Sequence, residues 1–190
     1  AGATKPESQR VVRVGTHAVT SSSRSTLSNR LRAHFGTSRG GGNHRGPIFR
    51  LHVGSAMLSR DSLVNETWGF GSVKPASLRQ SADAQAAELA LENRVSEYIG
   101  AMSVLWINVD DAPSPASLRS VIERNTIALL SNHFSPSDPS SDQWLGRFSP
   151  RDVIRRSALW NVRHVDDSYD SSFLPLLENA VRQTSRLCTT

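Results

Sequence analysis

Apolar positions along the chain fall into two different periods. In STLSNRLRAHF at 25–35, Leu27, Leu31 and Phe35 recur at i, i+4 and i+8, the stripe of a helix that buries one face. SLRSVIERNTIALLSN at 117–132 repeats the pattern with Leu118, Val121, Ile122, Leu129 and Leu130. APSP at 112–115 reads as its start, with Ser114 at the N-cap and Pro115 at the first helical position, where the missing N–H costs nothing. A stretch dense in Ala, Leu and Glu predicts a long helix over 77–99 capped by Gly100, and shorter helices are predicted over 47–60, 149–157 and 171–186. By contrast, VVRVGT at 11–16 and MSVLWINVD at 102–110 are continuous apolar runs rich in β-branched and aromatic residues, which predicts strands over 10–16 and 102–110, with a third over 159–165. Few strands among many helices give an α/β (α+β) class: a small antiparallel β-sheet of about three strands flanked by helices.

The segments between are polar and turn-rich. Residues 1–9 read as disordered, 17–25 as a polar turn, GTSRGGGNHRG at 36–46 as a glycine loop, WGFGS at 68–72 as a turn and 135–143 as a Ser/Pro/Asp loop. No linker splits the 190 residues, so one domain is expected.

Chemistry is carried by a few polar residues on the predicted helices. Arg30 and His34 stand one turn apart beside the apolar stripe, where a cation and an imidazole can reach one anionic group. The plainer reading is a solvated arginine and a boundary histidine. Glu123 borders the apolar face of the later helix and shares a side with Ile127 and Leu130, so partial burial is expected. One such carboxylate is enough for Mg²⁺, which fills its other positions with water and phosphate. A salt bridge to Arg119 or Arg30 is the alternative. Asn132 ends that helix, where Asn is favoured for conformational reasons alone.

The net charge of +5 and a pI near 10.3 point to an anionic partner. The bias is strongest in the first fifty residues, at Arg10, Arg13, Arg24, Arg30, Arg32, Arg39, His44, Arg45 and Arg50, and scattered surface cations are the alternative to a phosphate-binding patch. Cys188 alone excludes a disulfide framework and a Cys-rich zinc site. No run reaches a membrane span and no secretory segment opens the chain, so a cytoplasmic protein is expected. Asn65-Glu66-Thr67 spells a glycosylation sequon and is taken as chance.

Taken together, a Gly-ended strand, a helix with Arg-x3-His and a distant helix with one Glu and an Asn beyond it resemble the GIY-YIG nuclease superfamily over residues 10–132. GGGNHRGPIFRLHVG at 40–54 is similar to a bacterial branch of it. The resemblance implies a GIY-YIG-like sheet with 36–80 as a helical insertion and 135–190 as a C-terminal extension. It implies a metal-dependent endonuclease that hydrolyses DNA phosphodiesters with one Mg²⁺ or Mn²⁺. Glu123 would bind the metal, Arg30 would neutralise the phosphate and His34 would orient water or assist proton transfer, while Gly15 and Asn132 would support the site. Arg13, Arg32, Arg39, His44 and Arg45 would contact DNA.

Two departures matter. Nothing in residues 1–9 supplies the family's first triplet, and Arg13 stands where the second has Tyr. Tyr98-Ile99-Gly100 spells that triplet but ends a predicted helix, so the position is assigned to Arg13-Val14-Gly15. With the tyrosine gone, His17 is the nearest substitute base, against the alternative of an exposed loop histidine. A DNA-binding module without catalysis and a protein-interaction domain using 36–80 are the competing functions, and homodimer formation stays open.

Overall fold

The computed structural model describes residues 9–37, 40–70 and 81–187. Its elements in chain order are α1 (Leu27–Phe35), α2 (Ile48–Asp61), α3 (Ala82–Gly100), α4 (Leu118–Leu130), a 3₁₀ turn (Leu145–Phe148), α5 (Asp152–Ser157) and α6 (Phe173–Leu187). The helix starts follow capping chemistry. Thr26 caps α1 by accepting from Asn29 N, and Ser81 caps α3 by accepting from Ala84 N. For α4 the cap is Ser117, which accepts from Arg119 N, in place of the expected Ser114. Ser114 instead closes a turn just upstream, accepting from Ala116 N and Ser117 N. Gly100 is the last residue of α3, with Ala101 as the cap.

The expected antiparallel sheet, and with it the α/β class, is overturned. Among the described residues there is no strand, and the one isolated bridge joins Thr37 and Gly40. Residues 10–14 do run beside 158–161, which turn through the left-handed Ala158, but one backbone bond joins them, from Trp160 N to Val12 O at 2.8 Å. The next rung is supplied by a side chain: Asn161 accepts from Val14 N at 3.0 Å and donates to Val14 O at 2.9 Å, an amide standing in for a neighbouring peptide. The 102–110 run has no regular structure, with Leu105 87% exposed, and it is tied at Asn108 N to the Thr184 hydroxyl at 2.8 Å. Its β-branched composition favours extended backbone, yet a strand exists only where a second edge pairs with it. The predicted 159–165 strand is likewise irregular.

The core therefore forms between helices. Phe49, Val53, Ala56 and Met57 of α2 meet Leu91, Val95 and Ile99 of α3, with Trp144, Leu145, Ile154 and Trp160 closing the other side. Trp160 is fully buried, its ring centroid 5.5 Å from Trp144 and 6.0 Å from Phe49. A β-carbon on Gly54 would lie 2.0 Å from the Trp68 ring, so α2 and that indole meet only because position 54 has no side chain. A second, smaller cluster joins Ile127 of α4 to Leu159 and Val165, with Val14 and Leu130 at its margin.

A buried polar network ties α1 to this core. The Arg50 guanidinium, with no exposed surface, donates to Glu92 Oε2 (Nε, 3.1 Å), Ser96 Oγ (2.9 Å) and the His34 carbonyl (2.7 Å). Glu92 also accepts from His44 N at 2.6 Å and pairs with its Nδ1 at 2.9 Å, which pins the glycine loop to α3. A side chain at Gly42 would sit 2.2 Å from that guanidinium.

Candidate functional site

Arg13 is the hub. Its guanidinium carbon lies 4.7 Å above the Phe49 ring, and the charges that bear on it are those of Arg30 and Glu123. Burial first, then repulsion from Arg30, lowers its pKa to about 10, so it stays protonated at neutral pH. The 10–14 segment holds it there through Arg10, bonded to the carbonyls of Asp138 and Ala158, and through Asn161 on Val14.

Glu123 is half-buried on α4, with the Thr16 backbone N–H favouring its anion. Arg13, His164 and Arg30 are the charges that stabilise its anion, yet burial outweighs them and raises its pKa. Arg119, one of its possible partners by sequence, is occupied by Asp111 at 2.9 Å.

His34 is the one buried residue of α1, while Leu27, Leu31 and Phe35 are half-buried and Arg30 is exposed. Its ring meets Phe49 edge-on at 5.6 Å, and its Nδ1 finds no hydrogen-bond partner among the described residues. Burial, then the charges of Arg13, Arg30 and Arg50, depresses its pKa to about 4, so the imidazole is neutral at pH 7. His52, one turn beyond Phe49 on α2, has a buried Nε2 without a partner among the described residues. Burial and the charges of Arg151 and Arg13 lower it to about 4 as well. Thus Arg13, Arg30, His34 and Glu123 lie within one electrostatic neighbourhood, joined by His52, Arg151 and His164, which the sequence did not single out.

The remaining sequence candidates lie as follows. His17 is half-buried, its Nδ1 3.1 Å from the Ser25 carbonyl. Gly15 is exposed, and a β-carbon there would meet nothing within 4 Å, so the fold does not require glycine at that position. Asn132 is buried and closes the loop after α4, donating to Asp138 O at 2.6 Å and accepting from Asp138 N at 3.3 Å. Arg32 is exposed. His44 is buried, stacked on Trp68 at 3.9 Å, and Arg45 forks onto both oxygens of Glu88, so these two hold the glycine loop against α3. Arg39 lies outside the described residues.

A family model described as the GIY-YIG domain matches residues 2–187, so the chain belongs to the GIY-YIG domain family. The match runs through 36–80 and 135–187 as well as the two motif helices. No curated protein and no solved structure matches the chain. Membership in this family implies a nuclease-type function.

Proposed function

We propose that the chain is a metal-dependent endonuclease acting on DNA at the Arg13–Arg30–His34–Glu123 cluster. The observation that carries this reading is a half-buried carboxylate on which the charges of Arg13 and Arg30 act, the same two arginines that act on the neutral His34 imidazole. Arg13 and Arg30 repel one another, and an anionic phosphate between them relieves that repulsion. Arg forks suit phosphate oxygens, and the charge they supply also stabilises the developing transition state.

The residues present fit a divalent cation held by one carboxylate. Glu123 keeps a raised pKa despite its cationic neighbours, so its anion is under-compensated where it sits, and a divalent cation supplies what is missing. No group of three or more His, Cys, Asp or Glu side chains among the described residues forms a closed metal cage. Mg²⁺ and Mn²⁺ sites of this open kind use water and substrate phosphate for the rest. When bound, the cation supplies Lewis-acid polarisation of the phosphodiester and charge for the leaving oxygen.

The chain's own residues do the remainder. Arg13 and Arg30 hold and neutralise the scissile phosphate, His34 offers a neutral ring nitrogen to water or phosphate oxygen, and the Thr16 N–H favours the Glu123 anion. Incubation of the chain with plasmid and Mg²⁺ or Mn²⁺ tests the reading; nicking or linearisation that EDTA abolishes is the expected result. The replacement of the family tyrosine by Arg13 favours a second reading, a DNA-binding domain that cleaves nothing. Gel retardation without cleavage under either metal selects it.

A further inference from the structure

The tyrosine position of the family's triplet is Arg13, a side chain that cannot accept a proton, so a nuclease built on this chain needs its base from elsewhere. The loop after Trp160 supplies a candidate outside the family's motifs. His164 Nδ1 lies 2.8 Å from Asp167 Oδ2, and both side chains are partly exposed. The backbone at His164 has φ +63°, a left-handed conformation that non-glycine residues adopt sparingly.

Packing lays the loop that bears this pair along α4, the helix of Glu123. Val165 is buried against Ile127, one turn beyond Glu123 on α4, and the Val165 carbonyl accepts from the Ser131 hydroxyl at 2.5 Å. At the other end of the loop, Asp170 N donates to Asn125 Oδ1 at 2.8 Å. The segment 164–170 is thereby pinned across α4 at Asn125 and Ser131. Val14, two residues before Thr16, packs against the margin of the same smaller cluster. His164 is among the charges that act on Glu123; His17 is not.

We propose that His164, steered by Asp167, is the general base that takes a proton from the attacking water at the Glu123 site. This rests on the nuclease reading above. Asp167 accepts Nδ1–H and so leaves Nε2 bare, and its negative charge stabilises the imidazolium that forms. In the step, one O–H bond of water breaks and its proton goes to Nε2 while the oxygen bonds to phosphorus. The P–O bond to the leaving oxygen then breaks, the electron pair departs with that oxygen, and solvent protonates it. The Ser25 carbonyl can orient His17 but brings no full charge to stabilise its cation.

The test uses the full chain. His164→Gly suits φ +63° and therefore preserves the fold; it should lose on the order of 100-fold or more in single-turnover cleavage, keep its DNA affinity within about twofold, and regain cleavage with added imidazole. Nitrogen-15 NMR of the histidine rings gives a readout independent of cleavage: in the wild type His164 should carry its proton on Nδ1, and Asp167→Asn should mix the two tautomers and slow cleavage. The inference is overturned by full cleavage in His164→Gly, by an unchanged tautomer and rate in Asp167→Asn, or by loss confined to His17→Ala. Those outcomes leave the nuclease reading standing. A wild-type chain that cuts with neither metal removes both, and the parallel wild-type reaction tells the two failures apart.

Discussion

Arg50 donates to the carbonyl of His34 at 2.7 Å from a guanidinium that is itself wholly buried and ion-paired to Glu92. One bond therefore links the C-terminal turn of α1, which carries the candidate-site histidine, to the polar centre of the α2–α3 core. His34 sits where it does because Arg50 fixes the backbone beneath it.

Arg50→Met should destabilise the chain by about 3–5 kcal/mol, because removing one partner leaves Glu92 as a buried uncompensated charge. Urea denaturation at pH 7 measures it. A loss below about 1 kcal/mol would mean that Glu92 reaches solvent once the arginine is gone.

Acid should destabilise the fold through His34 and His52. Both have folded pKa values near 4, below the ordinary 6.5, so the unfolded chain takes up protons first as pH falls. Their contribution is full above about pH 6.5 and is lost as pH drops through 4, up to about 3 kcal/mol for each ring. Denaturation midpoints at pH 7.5, 5.5 and 4.5 should fall accordingly, and the double variant His34→Gln/His52→Gln should flatten the profile across that window. Equal slopes in wild type and double variant would remove these rings as the cause.

DNA affinity should separate the arginines by environment. Arg13→Ala and Arg30→Ala should each weaken binding about tenfold and lower the salt slope by about 1, since each contributes one phosphate contact. Arg45→Ala should leave the slope unchanged, because its guanidinium is already bound to Glu88. A slope change for Arg45→Ala equal to that of Arg13→Ala would place Arg45 on the DNA instead.

The exposed 103–108 segment gives a test of the fold. Leu105→Ser should change stability by less than about 0.5 kcal/mol, as expected for a surface position with no packing to lose. Thermal melts followed by circular dichroism report it. A loss of 2 kcal/mol or more would show that Leu105 is packed in a core.

Helices were legible in the sequence because their period is local: Leu27, Leu31 and Phe35, or Leu118, Val121 and Ile122, announce a face without reference to the rest of the chain. The sheet was misread for the converse reason. VVRVGT and SVLWIN satisfy local strand preference, but pairing depends on a distant edge, and at Val14 the side chain of Asn161 takes the bonds a neighbouring strand would have used. Charge was misleading in the same way. His44, Arg45 and Arg50 look like a basic surface in sequence, and their partners Glu88 and Glu92 lie more than forty residues away. A signal was present: Glu88 and Glu92 share the stripe of Leu91, Val95 and Ile99, and acids on an apolar helix face call for buried cations. Within the candidate cluster, Arg30, His34 and Glu123 could be proposed from spacing, whereas no local spacing points to His52, Arg151 or His164.

The central claim is that Glu123 binds the catalytic cation while the arginines hold the DNA. Its most direct test is cleavage of a labelled duplex under Mn²⁺ and Mg²⁺ by wild type and by Glu123→Ala, with affinity measured on the same duplex. The account predicts EDTA-sensitive cleavage by the wild type, loss of at least about 100-fold in Glu123→Ala, as for removal of a metal's anchoring ligand, and binding within about threefold of wild type. Cleavage by Glu123→Ala at the wild-type rate, or cleavage by the wild type that EDTA leaves untouched, would contradict it.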